Sequence, residues 1–223
     1  MKKRVVIWGI VLAIIGVSLF AYKFANKKQS TDPPIGTQFD SISTPIAAIN
    51  TIEPTPYTDY DGLAHEIAVK TMIAFESQNY KSLAEHIHPE LGVVFAPYTF
   101  IDFEENIVFT SEQVQDFDND RNVYNWGSHS ISPISVELTV AEYIEQFVCD
   151  KNYLQSDQFA INNTIRNGND MENFLDVFQN CFYVDFHNQG TEEYEFLDWS
   201  SVKIVMLKYE GTFKVVAVVR SCY

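Results

Sequence analysis

The chain changes hydrophobic character twice along its length. Val5 to Tyr22, VVIWGIVLAIIGVSLFAY, runs without a charge, between Lys2, Lys3 and Arg4 on one side and Lys23 on the other. As a helix this run extends about 27 Å, close to the roughly 30 Å hydrocarbon core of a bilayer. Neither Leu19-Phe20-Ala21 nor Lys23-Phe24-Ala25 makes a good small-x-small cleavage site, and no cysteine near the run could be acylated. Residues 1–25 therefore read as a membrane anchor, with a cleaved signal sequence as the alternative. A short basic head normally stays cytoplasmic, so the rest is expected outside. Residues 26–56 lose the apolar pattern. They hold Pro33, Pro34, Pro45, Pro54 and Pro56 among many Ser, Thr and Asp, and read as a flexible, locally extended linker.

From residue 57 to 223 the pattern is that of one folded domain. Leu63, Ala64, Ile67, Ala68, Met72 and Phe75 recur at three-to-four spacing and predict a helix from Asp61 to about Asn79. A second short helix is expected from Lys81 to Ile87, stopped by Pro89. Gly92–Phe95, Tyr98–Phe103 and Ile107–Thr110 read as strands. Thr110-Ser-Glu-Gln113 and Thr139-Val-Ala-Glu142 are capping boxes, and each should open a helix. Cys181–His187 alternates, with Phe182, Val184 and Phe186 on one face and Tyr183, Asp185 and His187 on the other. Val202–Tyr209 and Thr212–Arg220 flank Glu210-Gly211, a two-residue hairpin turn. Both strands are apolar on both faces at their middles. Such a sheet needs cover on both sides, by helices on one and by a partner on the other. Helices first and a long antiparallel hairpin last give an α+β class.

Charge sharpens the topology. The whole chain carries −15, yet residues 1–30 hold Lys2, Lys3, Arg4, Lys23, Lys27 and Lys28 and no acid. Setting those six charges aside leaves −21 on the remainder. A body that acidic repels phosphate backbones, so nucleic acid is excluded as an expected partner. The expected partner of Val5–Tyr22 is the lipid bilayer.

Ala68 to Pro89, with Asn79-Tyr80-Lys81, Leu83-Ala84 and His88-Pro89, together with the final hairpin, resembles the NTF2-like (nuclear transport factor 2-like) superfamily. The resemblance covers roughly residues 57–223. It implies a cone in which a curved antiparallel sheet wraps around N-terminal helices and leaves a pocket. It also implies a possible homodimer through the exposed sheet face. His88–Tyr98, Tyr124–Gly127, Glu137–Tyr143 and Asp198-Trp199 are similar to bacterial membrane-anchored or secreted surface proteins, a likeness that brings no activity with it.

Candidate chemistry is sparse. Asp185 and His187 share a strand face, the arrangement in which a carboxylate orients an imidazole base. The alternative is that both face water. Tyr98, Asp102, Trp126, Tyr143 and His88 are candidate pocket residues, since aromatic side chains offer large contact areas with a polar handle. The aromatic members would otherwise be plain core, Asp102 part of an exposed acidic turn, and His88 a local hydrogen-bonding residue that fixes the helix exit. His86, His88 and Glu90 approach a zinc-ligand spacing, but a helix would diverge the two imidazoles. Asp116 to Asp120 opens like a calcium loop, yet Arg121 and Gly127 stand where Gly and Glu are required. No metal and no cofactor are expected. Cys149, Cys181 and Cys222 are an odd set, with Cys181–Cys222 the better disulfide candidate. The function expected is a membrane-anchored, extracytoplasmic, non-catalytic domain that binds a small ligand or a cell-surface partner. The alternative is a small-molecule enzyme using acid–base chemistry in the cone pocket.

Overall fold

The computed structural model describes residues 59–128, 135–156, 158–168 and 171–223. The anchor and linker expected in residues 1–56 lie outside the described residues. Among those described, no helix is long and apolar enough to cross a membrane.

Helix α1 (Tyr60–Glu76) is capped by the Asp59 carboxylate, which accepts from the Gly62 amide. It buries Ala64, Ala68, Met72 and Phe75, the stripe set by the sequence period. Helix α2 (Tyr80–His86) starts at Asn79, whose side chain accepts from the Ser82 amide. Strand β1 (Val93–Ala96) and strand β2 (Ile107–Phe109) follow. Residues 98–103, expected as a strand, form a loop instead. Its backbone bonds go to side chains: the Ile101 amide donates to Asn173 Oδ1 and the Asp102 amide to Asn106 Oδ1.

Both capping boxes are present. Thr110 opens helix α3 (Ser111–Gln115) and Thr139 opens helix α4 (Val140–Tyr143). The latter passes into a π-helical turn, Ile144–Val148. Between them lies a hairpin, β3 (Val123–Ser128) with β4 (Ser135–Thr139). The short strand β5 (Phe159–Ile161) precedes helix α5 (Phe174–Val177). Strands β6 (Phe182–Asn188), β7 (Ser200–Tyr209) and β8 (Thr212–Cys222) complete the domain.

Six strands form one mixed sheet in the order β2-β1-β8-β7-β6-β5. All neighbours are antiparallel except β1 with β8. A bulge between Val205 and Met206 interrupts the long hairpin, and such an insertion bends and twists a strand. The class is α+β, as expected, and a six-stranded sheet with helices against one face is consistent with the cone that the resemblance implies.

The sheet is covered on both faces, and its two sides differ. One face presents Phe182, Val184, Phe186, Val202, Ile204 and Met206 to α1, α2 and the aromatic interior. The other presents Tyr183, Val205, Ala217 and Val219 to a second, smaller core built around Phe174 and Ile101. The cover on that second face comes from the chain itself, through the β5–β6 connection. We call the described part of that connection, residues 162–168 and 171–181, the strap.

The three cysteines are free thiols. Cys181 lies next to Phe182, which faces Met206, whereas Cys222 faces Ser200 at the other end of β7. At about 3.3 Å per residue that separation is on the order of 20 Å, far beyond disulfide reach. The expected Cys181–Cys222 bridge is therefore corrected.

Candidate functional site

Asp185 and His187 are brought together, but not on the helical face of the sheet and not in water. They lie on the second face of the sheet, beneath the strap. Asp185 has 0% and His187 4% of its surface exposed. Strand register supplies their neighbours: Asp185 faces Lys203, which faces Val219, and His187 faces Ser201, which faces Ser221. Asp185, Lys203, His187, Ser201 and Ser221 thus form a compact polar block inside a largely apolar sheet.

The strap supplies the remaining partners. Asp185 Oδ2 accepts from the Ile165 amide at 2.9 Å. Glu172 Oε1 meets Lys203 Nζ at 2.8 Å, with Lys203 fully buried and Glu172 partly exposed. Lys203 also reaches the Ser221 hydroxyl at 3.4 Å. His187 Nδ1 shares a hydrogen bond of 2.8 Å with the Ser201 hydroxyl. Asp185 Oδ1 is buried with no hydrogen-bond partner. Burial pushes the Asp185 carboxyl above its ordinary range, against the pull of Lys203, the Ile165 amide, Ser201 and His187. Burial likewise holds the His187 imidazole below its ordinary value, with Asp185 pulling the other way. The neutral imidazole is the favoured form.

The aromatic pocket candidates are packed rather than open. Trp126 stacks on Tyr143 at 3.8 Å and 15°, and Tyr143 stacks on Phe147 at 5.0 Å and 7°. Phe95 meets Trp126 and Tyr143 edge-on. The Trp126 indole N–H donates to the Leu138 carbonyl at 2.9 Å, so its polar handle is satisfied. Burial raises the Tyr143 phenol well above its ordinary range. Tyr98 is half-buried with its ring edge-on to Phe147. Asp102 sits in the 98–106 loop, where its carboxylate accepts from the Glu104 amide at 2.9 Å.

His88 fixes the exit of α2. Its Nδ1 accepts from the Glu90 and Leu91 amides at 3.3 and 3.2 Å, which places any ring proton on Nε2. Burial lowers its pKa, as it does that of His86. Among the described residues no group of three or more His, Cys, Asp and Glu side chains is arranged to hold a metal ion. The calcium-like segment is a turn: Asp116 accepts from the Asn119 amide group, and Asp120 from the Asn122 backbone and the Tyr124 hydroxyl.

Surface clefts formed by described residues lie elsewhere. One, of about 510 Å³, is lined by Glu85, Pro89, Tyr209 and Lys214 among others. Another, of about 450 Å³, is lined by Asp116, Asp120, Arg121 and Tyr124 among others. Neither reaches Asp185, His187, Tyr98, Asp102, Trp126, Tyr143 or His88.

Sequence reasoning missed two polar groups. Lys203 carried a signal, a lone charge inside the apolar strand Val202–Leu207. The second group joins the middle of the domain to its last strand: Arg220 pairs with Asp150 at 2.7 Å, Tyr153 donates to Asp150 at 2.6 Å, and Tyr153 shares a bond of 2.8 Å with Ser200. No local pattern announces it, because its members lie 70 residues apart at the extremes.

No protein-family model matches the sequence, and no curated protein sequence matches it significantly. Among solved structures, a Xanthomonas campestris protein described as a calcium/calmodulin dependent protein kinase II association domain is 12% identical. That match covers 71% of this chain and 84% of that one, with a TM-score of 0.30. Aln2 from a Streptomyces species is 7% identical, covering 74% of this chain and 91% of that one, with a TM-score of 0.33. At these scores neither likeness carries an argument about this chain.

Proposed function

We infer that residues 57–223 are an NTF2-like binding domain without catalytic chemistry of its own, held outside the cytoplasm by an anchor at Val5–Tyr22. The observation that carries this reading is the burial of the acid–base pair Asp185 and His187. Asp185 and His187 are closed beneath the strap, and their partners are structural: a backbone amide, a serine and a buried lysine. A general base must come within hydrogen-bond reach of the proton it removes. The stacked Trp126, Tyr143 and Phe147 rings support the same reading, since they fill interior space that a substrate would need. The run's length and flanking charge support the anchor, and the composition of residues 26–56 supports a tether between bilayer and domain.

The full chain, purified from membranes, is assayed against a broad panel of hydrolysis and isomerisation substrates. The expected result is no turnover that His187→Ala abolishes. Turnover that disappears in that variant, with the fold intact, overturns the reading in favour of an enzyme. Alkaline extraction of the membrane fraction tests the anchor: the chain should stay with the lipid, and its release would contradict the anchor.

A further inference from the structure

The strap and the 98–106 loop bury Phe174 and Ile101 and turn other apolar side chains outward. Phe100, Phe103, Met171 and Leu175 are between 49% and 74% exposed. Scattered apolar residues on a surface need no explanation, but a contiguous group does. These four are contiguous because two segments far apart in sequence are stapled side by side. Asn173 bonds both backbone groups of Ile101, accepting from its amide at 2.7 Å and donating to its carbonyl at 2.9 Å. The Thr99 hydroxyl donates to the Met171 carbonyl at 3.0 Å. Phe103 meets Phe178 edge-on at 6.4 Å. Ile101 and Phe174 point into the second core, so their neighbours Phe100 and Leu175 are held facing solvent. The patch is fixed in advance of any partner, which lowers the ordering cost of binding.

The charges on its two segments are all acidic. Residues 97–106 and 171–181 contain Asp102, Glu104, Glu105, Glu172 and Asp176 and no lysine or arginine. Glu172 is taken by Lys203, while Glu104, Glu105 and Asp176 are exposed. Carboxylates around an apolar centre repel anionic lipid and nucleic acid. They also disfavour a second copy of this chain, whose body carries the same sign. They favour a partner that brings apolar side chains flanked by cations, because opposed charges steer docking and like charges reject it.

We propose that the surface formed by Phe100, Phe103, Met171 and Leu175 docks a cationic amphipathic segment of a partner protein. This rests on the binding-domain reading above and names the chemistry of its partner. Phe103 and Leu175 supply the apolar contact, and Glu104, Glu105 and Asp176 supply the charge match.

The test uses the full chain in phosphatidylcholine nanodiscs, with empty discs as the blank. Two short fluorescent helical peptides of identical pattern are titrated, one of Leu and Lys, the other of Leu and Glu. The Leu/Lys peptide should bind more tightly by at least roughly tenfold, with affinity falling as salt rises. Phe103→Ser combined with Leu175→Ser should weaken it by about tenfold while the chain stays folded by its unfolding transition, because both side chains are more than half exposed. Glu104→Gln combined with Asp176→Asn should flatten the salt dependence. Equal binding of the two peptides, or Leu/Lys binding indifferent to the Phe103/Leu175 change, overturns the proposal. So does a change in self-association of the chain on that substitution, which would assign the patch to a second copy. None of these outcomes touches His187, so failure here is separate from failure of the non-catalytic reading.

Discussion

Lys203 is the residue on which the second face depends. A fully buried ammonium is tolerable only with an anion beside it, and Glu172 provides one from the strap. Removing the anion should cost more than removing the cation. Glu172→Gln leaves the charge buried and is expected to destabilise by about 3 kcal/mol in urea unfolding. Lys203→Met refills the volume with an apolar chain, frees Glu172 toward water and leaves Asp185 able to take up a proton, so it should cost clearly less. The neighbouring His187 gives the block a pH signature. Its pKa is lower folded than unfolded, so the unfolded chain binds the proton that the native state resists. Its contribution to stability is present above about pH 6.5 and is lost as pH falls below it, towards the folded value. His187→Gln should therefore flatten the decline in stability between neutral and mildly acidic pH. Asp185 acts in the opposite sense, since its raised value makes the carboxylate costly at neutral pH and relieves that cost as it protonates. The alternation of Cys181–His187 was enough to put Asp185 and His187 on one face. It was not enough to say what lay over that face, because burial depends on a segment whose four-residue helix is too short to show a period.

The elements that local chemistry dictates are the ones found where sequence places them. Both capping boxes form, each with reciprocal bonds between the threonine and the residue three further on. Thr139→Ala should cost about 1 kcal/mol in unfolding free energy. The β7–β8 turn is equally local. Glu210 and Gly211 both have positive φ, and a Cβ on Gly211 would meet no atom within 4 Å. Gly211→Ala therefore tests backbone conformation alone, and about 1 kcal/mol of destabilisation is expected. Elements defined by distant partners were not legible. The parallel pairing of β1 with β8 and the loop at residues 98–103 both depend on contacts remote in sequence. For the loop, an apolar run suggested a strand, but side chains of Asn106 and Asn173 take the backbone bonds a ladder would have taken.

At the scale of the molecule, one sheet divides two interiors of different kind. The helical side is an aromatic core with its rings stacked against one another. The strap side mixes a small apolar core with a buried polar block. The need for cover on both sides was readable from strands apolar on both faces, and the chain supplies the second cover itself. On the binding-domain reading proposed above, that arrangement makes the acid–base pair part of the architecture rather than part of a site. Diethyl pyrocarbonate modification of the full chain at neutral pH, followed for each histidine by mass spectrometry, tests this most directly. His187 should be modified much more slowly in the native protein than in urea, whereas the partly exposed His65 should differ far less between the two. Modification of His187 at the same rate in both conditions would show an open site and contradict the account.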